Sequence, residues 1–185
     1  MSTVSNVTAA KPKTGGAVYI ADTSATLPID ASTAIDTTVF TCLGYISEDG
    51  ITNSASQETE TIKAWGGDEV LVINNGREDT LSFTLIEGLN VDVLAYAYGE
   101  DNVSGNLTDG IVININNDDI PDKAMVIDMV MRNGTLKRIC LPQTSITELG
   151  EVSYADASAV GYAVTVKAMP DDAGNKQYEY IVSTS

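Results

Sequence analysis

Short runs rich in β-branched and aromatic residues recur along this chain, and clusters of Gly, Asn and Asp close most of them. The cleanest run is 80–85, where Leu81, Phe83 and Leu85 alternate with Thr80, Ser82 and Thr84. A period of two sends successive side chains to opposite faces, so the stretch predicts a strand with one buried and one wet face. Such a strand needs neighbours, because its backbone donors and acceptors must be satisfied across a ladder. Similar runs at 16–20, 111–115, 123–132, 135–141, 160–169 and 177–183 supply them. Asn133-Gly134 lies between two of these runs and is a two-residue hairpin signal, since both positions accept positive φ. Asn74-Asn75-Gly76 and 171–175 read as further turns. Residues 143–154 fit either a strand or a helical turn.

One stretch has helical periodicity. Within 90–98, Val91, Leu94, Ala95 and Tyr98 fall on one stripe. Asn90 is placed to cap it, Asp92 sits in the first turn and Gly99 follows the end. A helix this short must pack on a sheet to persist. Tyr96 and Tyr98 then read as core-edge residues. Residues 22–38, with Pro28 at the middle, read as a small-residue insertion with room for a helical turn over 30–35. The sum is about nine or ten strands and one helix. That predicts a mainly β fold: an antiparallel two-sheet sandwich or flattened barrel with a flanking α-helix. Residues 1–14, rich in Ser, Thr, Ala and Lys, read as a flexible N-terminal arm on a single β domain of 15–185.

Composition removes several function classes. The chain has no histidine, which excludes Ser-His-Asp and Cys-His catalysis and any His-based metal site. No enzyme activity and no cofactor are expected. Cys42 and Cys140 lie in apolar runs and read as buried free thiols. Asp101, Asn102, Ser104, Asn106 and Asp109 offer oxygens, but at spacings unlike an EF-hand, so no metal is expected. The 26 acidic and 10 basic residues leave a net charge of −16. Such a body repels nucleic acid. Residues 1–21 hold Lys11 and Lys13 and no carboxylate, so a cationic arm on an anionic body has the charge to dock on a neighbour. The N-terminus lacks an apolar signal region, and no run has the length of a membrane span. The expectation is a protein kept in the cytoplasm that makes it, without membrane insertion.

The stretch 39–73 is the most distinctive. An apolar run over 39–46 stops at Ser47-Glu48-Asp49-Gly50, a polar segment follows, and a second run over 58–65 turns at Gly66-Gly67-Asp68. This predicts a β-hairpin with a long loop over 47–57. Ordering such a loop costs roughly 1–2 kcal/mol per residue, so a neighbouring subunit is the natural surface to cover it. Trp65 is the only tryptophan and reads as a core or interface anchor.

The string LGYISEDGITNSASQETETIKAWGGDEV resembles the major tail protein, or tail tube protein, of long-tailed bacteriophages, most sharply over 43–98. That resemblance implies two packed sheets with a helix alongside. It also implies a structural protein that self-assembles into stacked hexameric rings through which the phage genome passes. Implied partners are further copies of the chain, the tape measure protein and tail-end proteins, with double-stranded DNA passing without sticking. The implied location is the virion tail, assembled in host cytoplasm. On this reading Ser47, Glu48, Asp49, Thr52, Asn53, Ser54 and Gln57 make inter-subunit contacts. Glu58, Thr59, Glu60, Thr61 and Lys63 are channel-lining candidates, with Ile62 and Ala64 toward the core. Trp65 anchors an interface. The alternative from the residues alone is an extracellular or virion-surface β-sandwich binding module, either carbohydrate-binding or decorating.

Overall fold

The computed structural model describes residues 2–13 and 16–183. In chain order the first strands are β1 (Ala10–Pro12), β2 (Val18–Asp22), β3 (Thr41–Cys42), β4 (Ile46–Lys63) and β5 (Glu69–Leu85). The helix α1 (Val91–Tyr98) follows, then a small pair, β6 (Val103–Asn106) and β7 (Gly110–Ile113). The chain finishes with β8 (Lys123–Met131), β9 (Leu136–Leu149), β10 (Tyr162–Met169) and β11 (Tyr178–Val182).

The fold is mainly β and antiparallel, with one α-helix among the described residues. A nine-stranded sheet runs in the order β3-β2-β8-β9-β10-β5-β4, with β1 on β8 and β11 on β9. Its path is open and closes no barrel. Long β9 is the pivot: its first half pairs with β8 and β11, and its second half with β10. The turn expected at Asn133-Gly134 joins β8 to β9, but as a three-residue loop of 132–134 rather than a two-residue one. The Met131 N–H donates to the Thr135 carbonyl at 2.8 Å and the Gly134 N–H to the Met131 carbonyl at 2.9 Å, and of the pair only Gly134 takes a positive φ, 86°. Residues 143–149 resolve as strand.

Alternation along these strands builds one main core. Val18, Met125, Ile127, Leu141, Val164, Val166, Leu81 and Leu85 meet on the inner face. Burial of each such side chain stabilises by about 1.5–3 kcal/mol. The helix covers that core. Asn90 caps it by accepting from the Asp92 N–H at 3.0 Å, and Gly99 closes it at φ 95°. Its buried face is Val93, Leu94, Tyr96 and Ala97, rotated from the stripe expected through Val91 and Ala95. The opposite face of β2, β8, β9 and β11 is also covered. There Ala21, Phe40, Val126 and Cys140 pack with Leu27 and Ile35 of the 22–38 segment. The helical turn expected at 30–35 does not form. Instead the Asp30 carboxylate accepts from the N–H groups of Ser32 and Thr33, both at 2.6 Å, which is a capped turn.

Two other expectations change. The loop expected over 47–57 is strand, and the Asn74-Asn75-Gly76 turn lies inside β5. Within the segment read as an arm, β1 pairs with Met129–Met131 of β8. Met1 and Thr14 of that segment lie outside the described residues.

Candidate assembly surface

β4 and β5 together form a ribbon that leaves the core. At its base β5 is core strand, with Leu81, Phe83 and Leu85 buried and Val164 and Val166 of β10 beside them. Asp79 is the last buried residue; from Arg77 to the tip, and from Thr52 outward on β4, every residue is exposed. At about 3.3 Å per residue the ribbon reaches roughly 30 Å beyond the core. No apolar face is required of a ribbon wet on both sides. Its backbone ladder is complete without one, and that is why the polar composition of 47–57 reads as loop while the residues form strand.

Three irregularities set its shape. Ser47, Glu48, Asp49 and Gly50 face Thr84 alone, so β4 bulges outward where it leaves the core. Gly50 sits there at φ 74° with open space around it, a conformation that L side chains rarely adopt. Farther out, Asn75 is the extra residue between the pairs Glu58↔Gly76 and Thr59↔Asn74. Near the tip, Val70 is extra between Ile62↔Leu71 and Lys63↔Glu69. The tip itself closes through the Ala64 N–H to the Asp68 carbonyl at 2.8 Å.

Pairing assigns the faces. Thr52, Ser54, Ser56, Glu58, Glu60 and Ile62 alternate onto one side, opposite Ser82, Thr80, Glu78, Ile73 and Leu71. Asn53, Gln57, Thr59, Thr61 and Lys63 fall on the other. The five channel-lining candidates therefore divide, Glu58 and Glu60 on one face and Thr59, Thr61 and Lys63 on the other. The expected core face for Ile62 and Ala64 does not form, because no core lies under this part of the ribbon and both are exposed. The face with Glu58 and Glu60 continues across the sheet. Ser82 and Thr165 share a hydrogen bond at 3.0 Å, Lys167 pairs with Glu78 at 3.4 Å, and Glu148 stands opposite Thr165. Apart from Ile62, Leu71 and Ile73 toward the tip, the result is a polar, net negative wall.

An ionic clamp fixes the base, and neither the run nor the spacing of its residues announced it. Arg77 Nε donates to both oxygens of buried Asp79 at 2.8 and 3.0 Å. Lys176, from the turn before β11, lies 3.9 Å from the same carboxylate and also donates to the Arg77 carbonyl. Asn53 donates to Gln177 at 3.2 Å. The ribbon is thus held on both strands where it departs.

Its outer part is unusually apolar for an exposed element. Val70, Leu71, Val72, Ile73 and Ile62 are all exposed, Val72 at 61%. Trp65 is fully exposed at the tip, which rules out the core role allowed for it. Ile62, Leu71 and Ile73 stand on the Glu60 face and Val72 on the other, so exposed apolar groups lie on both sides of the outer ribbon and mark it as an interaction site. Among the described residues, no group of three or more His, Cys, Asp or Glu is placed to hold a metal ion. Nor is any helix among the described residues long and apolar enough to cross a membrane.

Comparison with curated proteins returns no match. Among solved structures, the cap that terminates the tube of the anti-feeding prophage, determined by cryo-EM, is similar at 8% identity with a TM-score of 0.43. The alignment covers 93% of this chain and 92% of that one, a likeness too loose to argue from. A family model described as phage tail tube protein matches residues 5–185. The match takes in the sheet, the helix and the whole projecting ribbon, and the chain belongs to the phage tail tube protein family.

Proposed function

We propose that this structural tail protein assembles with copies of itself into rings that stack as the tail tube, hexameric as in the phage proteins it resembles. The observation that carries the reading is the ribbon, which is rigidly clamped at its base, apolar over its outer half and without a partner within one chain. Its β4 edge is the end of the sheet, so a neighbour's strand can add to it, and a closed ring leaves no such edge open. Ser47, Glu48 and Asp49 at the bulge, with Thr52, Asn53, Ser54 and Gln57 beyond it, are the polar residues that a neighbour meets first. The wall bearing Glu58, Glu60, Glu78 and Glu148 faces the channel, and Thr59, Thr61 and Lys63 face the adjoining subunit. The tape measure protein occupies the channel during growth, tail-end proteins bound it, and duplex DNA later passes through.

Passage explains the charge. Duplex DNA carries about one charge per 1.7 Å, and every phosphate met by Lys or Arg adds counterion-release affinity. A ring repeats each contact, so an anionic wall avoids a belt of sticking points. Screening over about 8 Å at physiological salt keeps repulsion from barring entry.

Ribbon truncation tests the reading. Gln57 and Arg77 are directly paired, so Asn-Gly can join them in place of 58–76. The truncated chain is expected to fold, because it keeps the core and the Arg77–Asp79 clamp. It is expected to form no tubes by negative-stain microscopy under conditions where the full chain does. Normal tubes from the truncated chain would overturn the role of the ribbon.

A further inference from the structure

We infer that the ribbon tip docks, in a second copy of this chain, on a cationic groove formed by β1 and the end of β8. The inference rests on the tube reading and names the surface that the tip meets. A cavity of about 280 Å³ lies there, lined by Ala9, Ala10, Lys11, Val130, Met131 and Arg132. Lys11 is paired with Val130 and shares its face, and Arg132 follows in the turn after β8 with its N–H donating to the Ala9 carbonyl at 2.8 Å, so both cations line the cavity beside Val130. The ion pairs among the described residues use neither Lys11 nor Arg132. Lys13 and Arg138 nearby are both spent on buried Asp128. On a chain of net charge −16, two exposed cations without ion-pair partners beside a mostly apolar cavity are a local exception.

The tip has the complementary chemistry. Trp65 offers an indole face to cations, which attract the ring quadrupole, and an apolar edge to Val130. Asp68 and Glu69 flank it, with Glu60 farther down β4. Lys63 is occupied by Glu69 at 3.6 Å, so the tip is net negative.

Geometry requires the contact to run between copies. The cavity adjoining the groove is lined by Lys11, Ile46 and Ile51, so the groove lies at the ribbon's own base. From Ile51 to Trp65 the strand extends about 45 Å at 3.3 Å per residue. An extended, clamped ribbon cannot fold its tip back to that point. Tip to base is a head-to-tail contact, which repeats from copy to copy and propagates an assembly. Glu48 and Asp49 line the adjoining cavity but form no ion pair with Lys11.

Because Trp65 is the only tryptophan, its fluorescence reports this one contact. Emission of the full chain is measured before and after tube growth, alongside Lys11→Glu/Arg132→Glu and Asp68→Lys/Glu69→Lys. The wild-type tube is expected to show a blue shift. Each reversed pair is expected to raise the critical concentration for growth by about tenfold or more, and the four changes together to restore growth in part. Wild-type tubes whose Trp65 still emits as in water would overturn the docking alone. So would tubes of Lys11→Glu/Arg132→Glu that form normally with the full blue shift. So would reversed pairs that block growth while wild-type Trp65 stays hydrated, which would give the groove to a different partner. A chain that never assembles would overturn the tube reading, and the docking with it.

Discussion

Arg138 and Asp128 stand directly opposite each other on β9 and β8 and form a two-pronged ion pair in the interior. Arg138 Nε donates to one carboxylate oxygen at 2.5 Å and Nη2 to the other at 2.8 Å. Its remaining donors reach the carbonyls of Asp30 at 2.8 Å and Thr33 at 2.9 Å. One side chain therefore neutralises a buried carboxylate and straps the 22–38 segment over the outer face of the sheet.

Removing only the cation should be severe. Arg138→Met leaves Asp128 buried with Lys13, 3.5 Å away, as its remaining partner. A loss of about 3–5 kcal/mol in urea unfolding is expected. Asp128→Leu combined with Arg138→Met should recover part of that loss, since no uncompensated charge remains. Hydrogen exchange over 22–38 should stay fast in both variants, because the two strapping bonds are gone.

Acid should loosen the loops first. Lys123 holds the Asp22 carboxyl below its ordinary range, the hydroxyl and N–H of Thr38 do so for Asp36, and the Tyr178 hydroxyl does so for Asp171. Asp30 is lowered further, by Thr33 first and then Ser32. A carboxyl depressed in the folded state adds stability above its unfolded value of 3.8, and that stability is lost as pH falls through the depressed values. Thermal midpoints should hold from pH 7 to about pH 4 and drop below it. Asp30→Asn should flatten that drop.

Cys140 should be inert in the native protein. Burial pushes its thiol up from 9.0 to about 12. The raised value means its contribution is intact below pH 9 and declines as pH climbs toward 12. Mass spectrometry after iodoacetamide at pH 8 should find Cys140 unlabelled when folded and labelled in urea. Native labelling would mean that the 22–38 segment opens far more readily than its packing indicates.

The base clamp should control how far the ribbon wanders. Asp79→Ala releases Arg77 and Lys176 and should cost about 1–2 kcal/mol, since both cations return to water. The larger effect should be dynamic: faster hydrogen exchange over 52–60 and 70–78, and slower tube growth at unchanged protomer fold.

Charge reversal on the wall separates assembly from delivery. Glu58→Lys with Glu60→Lys should leave tubes intact while genome delivery slows, and added salt should restore part of the rate. Unchanged delivery from intact tubes would show that this face is turned away from the channel.

Local chemistry made much of the fold legible. Thr80 to Leu85 alternate because one face is buried, the chain turns at Asn133-Gly134 because Gly134 takes a positive φ, and Asn90 caps because its side chain reaches the Asp92 N–H. Each of these needs only neighbours in sequence. The 47–57 stretch failed as a loop for a physical reason: period two is the mark of one wet and one dry face, and a strand wet on both faces carries no such mark. The face of Glu58 and Glu60 was likewise legible as an alternation but not as a direction, since the core that would orient it ends at Asp79.

What the sequence determined alone was class and exclusion: antiparallel β, one capped helix, an anionic body, no histidine chemistry, and a family likeness centred on the ribbon. Tertiary structure decided where charges end up. Arg138 reads as one cation in an apolar run until β8 brings Asp128 opposite it, and Asp79 as one acid among many until the β11 turn delivers Lys176. Trp65 reads as either a core or an interface anchor until β4 and β5 carry it clear of the core. Those outcomes depend on register and reach, which long-range pairing sets and no local pattern encodes.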